Sequence, residues 1–321
     1  MTEINIKKSN NKKIDNEIHM KKKYALSTEN ALLLMALPFI IFIIVFCYVP
    51  LLGWSMAFVK YIPGLPIFKS KFVGLDNFKF LFGFASDFPR ILQNTLVMSF
   101  LSILASPVPL VFAILLTEIK NTKFKKFIQT TTSLPNFISM VIVFAIFFQM
   151  FNLDGGFINE LLIKLHFIKN PINLLGNPDI TWYFQTFVGI WKSTGWGAII
   201  YIAAISSVDS ELYEAASIDG AGRFKKILHV TLPGVISTYL VLLLLGMANL
   251  LSGSFEQVYV FHNGLVASRI ENLDYYSYKI GLGQFDFSLS TAIGMFKSVV
   301  SVMLLFIFSK ISKKLTGNSV I

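Results

Sequence analysis

Six long apolar stretches limit the architecture of this chain more than any other feature of its sequence. Crossing the ~30 Å hydrocarbon core of a bilayer takes about 20 mostly apolar residues in a helix. Stretches of this length lie at residues 31–57, 91–117, 127–151, 183–206, 234–256 and 290–310. The sequence therefore predicts an all-α polytopic membrane protein with six transmembrane helices.

The amino-acid composition supports a membrane location. Hydrophobic residues make up 54% of the 321 residues and charged residues only 14%, whereas soluble domains carry roughly 25% charged residues. The net charge of +10 does not indicate nucleic-acid binding, because the lysines cluster beside the apolar stretches, as in cytoplasmic loops of membrane proteins. One cysteine (Cys47) and four histidines far apart in sequence (His19, His166, His229, His262) provide no metal-site spacing.

The first apolar stretch, ALLLMALPFIIFIIVFCYVPLLG, is longer than the core of a signal peptide, and no small-residue cleavage site follows it. We expect it to be retained as a membrane helix. The shorter stretch FINELLIKLHFI (157–168) has mixed polarity. It is expected to lie at the membrane interface or to pack against the helical bundle.

The distribution of positive charge predicts how the helices are oriented. With a cytoplasmic N-terminus, the inner segments carry more lysines and arginines than the outer loops, as the positive-inside rule requires. Both termini are therefore predicted to be cytoplasmic. The predicted segments are a Lys-rich, disordered or surface-bound segment at 1–30, a first transmembrane helix at 31–57, an external loop at 58–90, a core of five helices at 91–310 with a cytoplasmic loop at 207–233, and a cytoplasmic tail at 311–321.

The stretch YEAASIDGAGRFKKILHVTLPGV interrupts the apolar pattern with polar residues. Asp209 or Ser210 can cap a short helix, and Gly220 and Gly222 can end it because glycine adopts positive φ readily. Pro233 is expected to end a second short helix where the fifth membrane helix begins. A plain connector needs about four residues, whereas this loop has about 27. The pattern predicts a helix–turn–helix that serves as a binding surface on the cytoplasmic face.

The same stretch resembles the EAA signature of permease subunits of ATP-binding-cassette importers. The matching positions are Glu214, Ala215, Ala216, Gly220, Val230, Leu232 and Pro233. The family usually has Ile at the position of Val230. Asp219 and Ala221 extend the resemblance to carbohydrate importers, similar to the maltose and glycerol-phosphate permeases and to permeases that depend on lipoprotein receptors for oligosaccharides from polysaccharides. Further similar blocks are FVGLDNFKFLF, NTL, SLPNFIS, IWKSTGWGAIIYIAA and TAIGMFKSVVS, so the resemblance covers about residues 30–315.

The resemblance implies a type I importer permease fold and a transport subunit without enzymatic activity, in the cell membrane of a bacterium. A second, homologous permease chain would complete the pathway as a heterodimer partner. Two ATPase subunits would bind ATP and Mg²⁺ on the cytoplasmic side, and an extracellular solute-binding protein, a lipoprotein, would deliver a sugar or oligosaccharide. This chain would hold no cofactor, and it contains no Gly-Lys dipeptide and therefore no Walker A loop.

In such permeases the loop docks into a cleft of the ATPase subunit. Small alanines would let the two proteins approach closely, Glu214 would pair with a basic group, and Gly220 would set the angle between the two short helices. The alternative is that the alanines and glycines only fold a compact loop. The expected coupling residues are Glu214, Ala215, Ala216, Asp219, Gly220, Ala221, Leu232 and Pro233.

Charged residues also fall within the predicted membrane helices, where a charge costs about 2.5–3.5 kcal/mol on insertion scales and so usually faces protein or water. Lys192 and Lys297 lie inside predicted helices, and Glu256 lies near the end of another. One interpretation places them beside the translocation pathway. Alternatively, Lys192 snorkels or pairs with Glu256, and the nearby tryptophans belong to the interface belt. The predicted substrate-pathway residues are Trp191, Lys192, Trp196, Asn249 and Glu256.

Two other functional classes fit the sequence less well. An ion-coupled secondary transporter predicts paired acidic residues near the bilayer centre and often two related halves, and the sequence shows neither. A membrane enzyme, such as a lipid-linked glycosyltransferase, would cluster Asp, Glu or His at one membrane face, whereas the acidic residues here are scattered. The sequence favours the importer permease, and it identifies neither the sugar nor the second permease.

Overall fold

A computed structural model describes residues 28–83, 87–252 and 254–316 of the chain. These residues are mostly helical, and they divide into two compact units, Met1–Ser55 and Met56–Ile321. Most of the predicted Lys-rich segment, up to position 27, lies outside the described residues. The same holds for positions 317–321 of the predicted tail.

The first unit contains the first predicted membrane helix. Helix α1 spans Thr28–Ile43 and continues through a π-helical turn, Ile44–Tyr48, into a 3₁₀ helix, Val49–Phe58, of which residues up to Ser55 belong to this unit. Pro50 lacks a backbone N–H to donate, and the wider π-helical turn directly before it accommodates this loss. Most of the large apolar side chains of this helix are exposed. A helix of this kind suits a lipid environment, and it coincides with the stretch predicted at 31–57.

The second unit begins with a short antiparallel hairpin, β1 Val59–Lys60 and β2 Lys71–Phe72, in which Val59 lies opposite Phe72. Its α-helices among the described residues are α2 Asp76–Leu81, α3 Phe88–Ala105, α4 Val108–Thr117, α5 Thr122–Ser133, α6 Met140–Phe151, α7 Phe157–Lys164, α8 Thr181–Ser206, α9 Ser210–Ile218, α10 Arg223–Lys226, α11 Leu232–Ala248, α12 Phe255–Phe261, α13 Ala267–Ile270, α14 Leu273–Tyr278 and α15 Phe287–Thr316.

Five helices among the described residues are long and apolar enough to cross a membrane, or six if one bent pair is a single span. This number agrees with the six predicted spans. The five continuous candidates are Glu29–Phe58, Phe88–Thr117, Thr181–Ser206, Arg223–Met247 and Phe287–Lys310.

The span predicted at 127–151 is not one continuous helix. Residues Thr122–Phe137 and Met140–Phe151 form two helical pieces that are bent by 106° relative to each other; together they are called the broken span below. Pro135 lies in the 3₁₀ turn that ends the first piece, and Ile138 and Ser139 have extended backbone. A helix cannot pass through such a segment, because Pro135 has no N–H to donate and an extended residue breaks the hydrogen-bond ladder.

The fifth span begins and ends earlier than the predicted 234–256. The helix runs from Arg223 through a π-helical turn, Ile227–Thr231, directly into α11, so Pro233 does not end a second short helix as predicted. The π-helical turn precedes Pro233 and absorbs its missing N–H. Glu256 therefore does not lie in this span but in the first turn of the separate helix α12.

Three groups of buried apolar side chains hold the second unit together. The first joins the hairpin end and α2 to α3, α14 and α15, and the second joins α6, α8 and α12. The third packs α4 against α8 and α11 through Ala113, Ala198 and Val235, each fully buried. Helix α8 contributes to the second and third groups and is therefore the central helix of this unit.

Candidate functional site

The predicted cytoplasmic loop forms a short helix, a tight turn and a second helix. Asp209 caps α9 by accepting a hydrogen bond from the Glu211 N–H at 2.9 Å, which supports Asp209 rather than Ser210 as the cap. At the other end, the Ala221 N–H donates to the Ala216 oxygen at 2.8 Å and the Gly220 N–H donates to the Ser217 oxygen at 3.1 Å. This pair of bonds is the Schellman motif, which requires a left-handed residue after the helix.

The two glycines of this turn have different roles. Gly220 has a φ of +74°, and a Cβ at this position would meet no atom within 4 Å. Its backbone conformation therefore requires glycine, whereas the surrounding space does not. Gly222 has a φ of −68°, so the prediction that it also uses positive φ is wrong. It precedes α10 in an extended conformation that other residues can adopt.

Two side-chain hydrogen bonds tether α9 to the helix that follows it. The Tyr213 hydroxyl and the Thr231 hydroxyl lie 2.9 Å apart, and Lys226 Nζ donates to Ser217 Oγ at 2.6 Å. Thr231 is buried, so its bond anchors the middle of α9 to the base of the fifth span. The short helix is therefore held in a defined position.

The surface of this loop presents both polar and apolar groups. Glu214, Ala215, Asp219, Gly220 and Pro233 are exposed, whereas Ala216, Ala221 and Leu232 are partly buried. Large apolar side chains are exposed beside them, with Ile218 at 87% and Phe224 at 77% of their full accessibility. Exposed apolar side chains around a charged residue are typical of a protein-binding surface.

Two adjoining cavities lie between the helices of the second unit. Cavity A has a volume of about 250 Å³ and cavity B about 350 Å³. They share four lining residues, Met98, Ser102, Ser106 and Ser254. Hydroxyl and amide side chains that line one or both are Thr95, Ser99, Ser102, Ser106, Gln185, Thr186, Ser193, Thr194, Tyr201, Tyr239, Asn249, Ser254, Gln257 and Asn272.

The described residues that line the two cavities are all uncharged. The Ser106 and Tyr239 hydroxyls lie 2.8 Å apart, and Gln257 Nε2 donates to the Gln185 side-chain oxygen at 2.7 Å. Neutral donors and acceptors of this kind can form hydrogen bonds with the hydroxyl groups of a polar solute. Such surfaces bind without the desolvation cost of a buried charge.

The structure places the five predicted pathway residues in different surroundings. Asn249 lines cavity A, whereas the other four line neither cavity. Trp191 packs against Phe147, with ring centroids 5.6 Å apart, and Trp196 is exposed. The pathway role of all five stays a prediction.

The ion pair between Lys192 and Glu256, which the sequence left open as an alternative to a pathway role, does not form. Lys192 Nζ donates to the backbone oxygens of Pro135, Asn136 and Ile138 at 3.3, 3.1 and 2.7 Å. Glu256 Oε1 accepts from the Met140 N–H at 3.3 Å. Both side chains therefore contact the break of the broken span, on opposite sides of it.

The structure also shows a charged cluster that the sequence did not predict. Glu271 is only 2% exposed and receives hydrogen bonds from Lys279 at 2.9 Å and Arg90 at 3.1 Å, while His262 Nε2 lies 3.3 Å away. Burial opposes ionisation of Glu271, but the hydrogen bonds and charges of Lys279 and Arg90 outweigh it and lower its pKa. The bond to Glu271 likewise raises the pKa of Lys279.

A second ion pair lies close to this cluster. Lys297, in α15, donates to Asp274 in α14. Lys297 thus pairs with a carboxylate, whereas Lys192 binds backbone oxygens. Neither partnership could be inferred from the sequence, because each joins residues that are far apart in the chain.

Comparison with known proteins identifies the family. Residues 110–317 match the family described as binding-protein-dependent transport system inner membrane component. The chain belongs to this family. Its predicted resemblance to permease subunits of ATP-binding-cassette importers for carbohydrates is confirmed, and the chain is an integral membrane transport subunit, not an enzyme.

Two curated relatives match nearly the whole permease. Protein LplB of Bacillus subtilis (strain 168) is 42% identical over 293 residues, which cover 90% of this chain and 91% of the relative. The polygalacturonan/rhamnogalacturonan transport system permease protein YteP of the same organism is 42% identical over 286 residues and covers 88% of each chain.

A solved structure supports the fold. A chain in the crystal structure of the bacterial alginate ABC transporter, in complex with its alginate pentasaccharide-bound periplasmic protein, superposes on this permease with a TM-score of 0.83. The two are 31% identical, and the match covers 90% of this permease and 96% of the other chain. The type I importer permease fold is therefore confirmed; the orientation of the termini stays a prediction.

Proposed function

We propose that this permease forms half of the translocation pathway of an ATP-driven importer for a sugar or oligosaccharide. The proposal is supported by family membership and by relatives whose names state polygalacturonan, rhamnogalacturonan or alginate transport. The permease binds no nucleotide or metal cofactor of its own. Its sequence lacks the Gly-Lys dipeptide of a Walker A loop, so ATP and Mg²⁺ belong to a partner ATPase.

The permease works with three kinds of partner in this proposal. A second, homologous permease completes the pathway, two ATPase subunits bind at the cytoplasmic face, and an external binding protein, expected to be a lipoprotein, delivers the sugar. The alginate transporter in its complex with a periplasmic protein supports the last of these. The positive charge of the inner segments supports cytoplasmic N- and C-termini.

The observation that carries the coupling role is the geometry of α9. The helix is tethered through Tyr213 and Ser217, yet Glu214 and Ala215 remain exposed on its surface. A short helix that presents small and acidic side chains can enter a cleft of a partner protein. Because its two tethers hold it against the fifth span, a movement of the partner would be passed on to that span. We therefore assign α9 and the turn at Gly220 as the element that contacts the ATPase.

The coupling role is tested with matched acidic variants in the assembled transporter. Glu214→Ala removes a charged contact worth about 1–3 kcal/mol if it is buried in the interface, whereas Glu211→Ala removes an exposed acid on the same helix outside the EAA signature. We expect Glu214→Ala to lower ATPase copurification and sugar uptake more than Glu211→Ala. Equal copurification and uptake for both variants and the unmodified protein would reduce the loop to a linker.

The observation that carries the pathway role is the pair of uncharged polar cavities. Sugars present many hydroxyl groups, which the hydroxyl and amide side chains of cavities A and B can bind as donors or acceptors. Asn249 is the predicted pathway residue that belongs to this surface. We assign Ser102 and Ser106, which line both cavities, as central positions of the pathway.

Cysteine labelling tests this assignment in a background in which Cys47 is replaced by serine. Ser102→Cys should react with a small thiol reagent, and oligosaccharide supplied during turnover should slow this reaction. Phe100→Cys is the control, because Phe100 is exposed on α3 and lines neither cavity. Uptake that is unaffected by a bulky label at position 102 would remove Ser102 from the pathway.

A further inference from the structure

The broken span leaves polar backbone groups without helical partners at its break. Its first piece ends in the 3₁₀ turn Leu134–Phe137, and its second piece begins at Met140 without a side-chain cap from Ser139. The last carbonyls of a helix and the first N–H groups of the next have no partners within the helices. At membrane depth such groups must be satisfied by protein or by water in a cavity.

The break lies against the middle of α8. A Cβ built on Gly195 would lie only 2.1 Å from the Thr132 backbone oxygen, so the absence of this side chain allows the end of α5 to touch α8. Lys192 is three residues earlier in α8 and therefore lies on the same face of the helix. Its side chain is thus placed beside the turn that ends the first piece.

Lys192 satisfies the first side of the break. An ammonium group has three N–H donors and no acceptor, and Lys192 Nζ has three backbone oxygens within hydrogen-bond distance, those of Pro135, Asn136 and Ile138. A cation at the carboxyl end of a helix is also favoured by the helix dipole. The contacts of Lys192 match what the end of the first piece lacks.

Glu256 satisfies the second side. Its carboxylate accepts from the Met140 N–H, and an anion at the amino end of a helix is favoured by the dipole of that helix. Glu256 comes from α12, whereas Lys192 comes from α8. Two separate elements therefore bind the two sides of one break, each with the charge that its side favours.

Both residues are direct neighbours of cavity-lining residues. Ser193 follows Lys192, Gln257 follows Glu256, and both lining residues belong to cavity B. The described lining of cavity B contains no residue of the broken span, so a change in the bend would reach this wall through Lys192 on α8 and Glu256 on α12. We propose that Lys192 and Glu256 are positioning residues that hold the bend of the broken span and so fix the shape of cavity B. Its consequence for transport rests on the pathway role proposed above.

The bend is measured by the distance between two spin labels in the assembled transporter, with Cys47 replaced by serine. Labels at Phe127 on α5 and Ile142 on α6 are suitable, since both side chains are exposed. We expect a narrow distance distribution in the otherwise unmodified protein. Lys192→Met, which keeps an unbranched apolar stem and removes all donors, should broaden or shift it, whereas Lys192→Arg should preserve it because the donors remain.

Three further variants keep the test decisive. Glu256→Ala should broaden the distribution if Lys192→Met cannot be purified, and Glu256→Gln, which retains an acceptor, should change it less. Lys123→Met, at an exposed lysine of α5, is the control for loss of a positive charge. Unchanged distributions in both Lys192→Met and Glu256→Ala would overturn the proposal.

Uptake measurements separate positioning from substrate contact. A positioning role predicts a several-fold loss of uptake in Lys192→Met that is similar for neutral and acidic oligosaccharides, together with the altered distance. A loss confined to acidic oligosaccharides, with an unaltered distance, would show a direct contact and overturn the proposal. The distance can also change in Lys192→Met while the unmodified transporter itself imports none of the sugars tested. That outcome would retain the positioning role and contradict the proposed function instead.

Discussion

Replacing Gly195 with alanine tests how closely the broken span packs against α8. A Cβ on Gly195 would lie 2.1 Å from the Thr132 oxygen, 2.3 Å from its carbonyl carbon and 2.6 Å from the Ser133 nitrogen. These are backbone atoms, which cannot rotate away as a side chain can. Because such contacts essentially never fall below 3.0 Å, the two helices must separate by about 1 Å in a close-packed interior.

The cost of this separation follows from two opposing effects. Overpacking a close contact costs about 1–3 kcal/mol, and occasionally more, while replacing glycine with alanine inside a helix gains about 0.8–1.0 kcal/mol. The difference between these two effects is a net loss of about 0–2 kcal/mol of stability for Gly195→Ala. The same displacement moves the Pro135 and Asn136 oxygens away from Lys192, so the loss of these hydrogen bonds adds to the cost.

A matched control lies two residues further along α8. A Cβ on Gly197 would meet Pro109 at 3.4 and 3.5 Å, which is ordinary contact with a side chain. Thermal unfolding of the purified transporter in detergent should show a lower Tm for Gly195→Ala and an unchanged or higher Tm for Gly197→Ala. If the two variants unfold at the same temperature, the close backbone contact does not exist as described.

Three other perturbations test separate parts of the fold and function. Gly220→Val should lower stability by about 1–2 kcal/mol, because valine would have to adopt the left-handed backbone conformation, and it should weaken ATPase copurification. Gly222→Val, also in open space but at negative φ, should do neither. Equal losses in the two variants would contradict the turn geometry. The pKa of Glu271 is lowered in the folded protein, so its ionised form stabilises the fold above pH 4.5, its ordinary pKa, and this stabilisation is lost as the pH falls through the lowered pKa. The pKa of Lys279 is raised, so its charged form stabilises the fold below pH 10.5, and this contribution is lost as the pH rises through the raised pKa. The Tm of the transporter should therefore fall at the acid end of its pH profile. Glu271→Gln should lower the free energy of unfolding near neutral pH by about 1–3 kcal/mol and remove part of the acid fall in Tm. A Tm profile identical to that of the unmodified protein would refute the role of the cluster. For the topology, an impermeant thiol reagent applied outside should label single cysteines at the exposed positions Phe68, Phe167 and Phe285 but not at Phe124 or Ile218; external labelling at 218 would contradict both the orientation and the coupling role.

The membrane spans could be predicted because hydropathy over about 20 residues is a strong, local signal. The same signal gave no information about the break at Ile138 and Ser139, since the two pieces taken together are apolar enough to form one span, although the first piece is rich in Thr and Lys. Pro135 was visible in the sequence, but proline is tolerated in many membrane helices. In this span Lys192 and Glu256, from other elements, bind backbone groups on the two sides of the break.

The structure of the loop at 207–233 was predicted in more detail than the two cavities. The cap at Asp209 and the turn at Gly220 are local features, and the chain itself shows the residue types that they need. The cavities are different, because they combine hydroxyl and amide side chains from α3, α8, α11 and the segment after it. No single stretch carries that pattern. The cluster around Glu271 could not be predicted for the same reason, because Arg90 and Glu271 are 181 positions apart in the sequence.

The position of Lys192 shows why a charge in a membrane helix does not by itself indicate substrate contact. Its depth was read correctly as a sign that the side chain must face protein or water. The structure meets this requirement with carbonyl oxygens from a broken helix. The charge and the break then explain each other, because the unsatisfied carbonyls would be costly in lipid without Lys192, and Lys192 would be costly there without the carbonyls. The adjoining cavity B is meanwhile lined by neutral groups such as Ser193 and Thr194. The pathway proposed here would pass a polar solute without binding it tightly, while the two charges beside it would hold its wall in place.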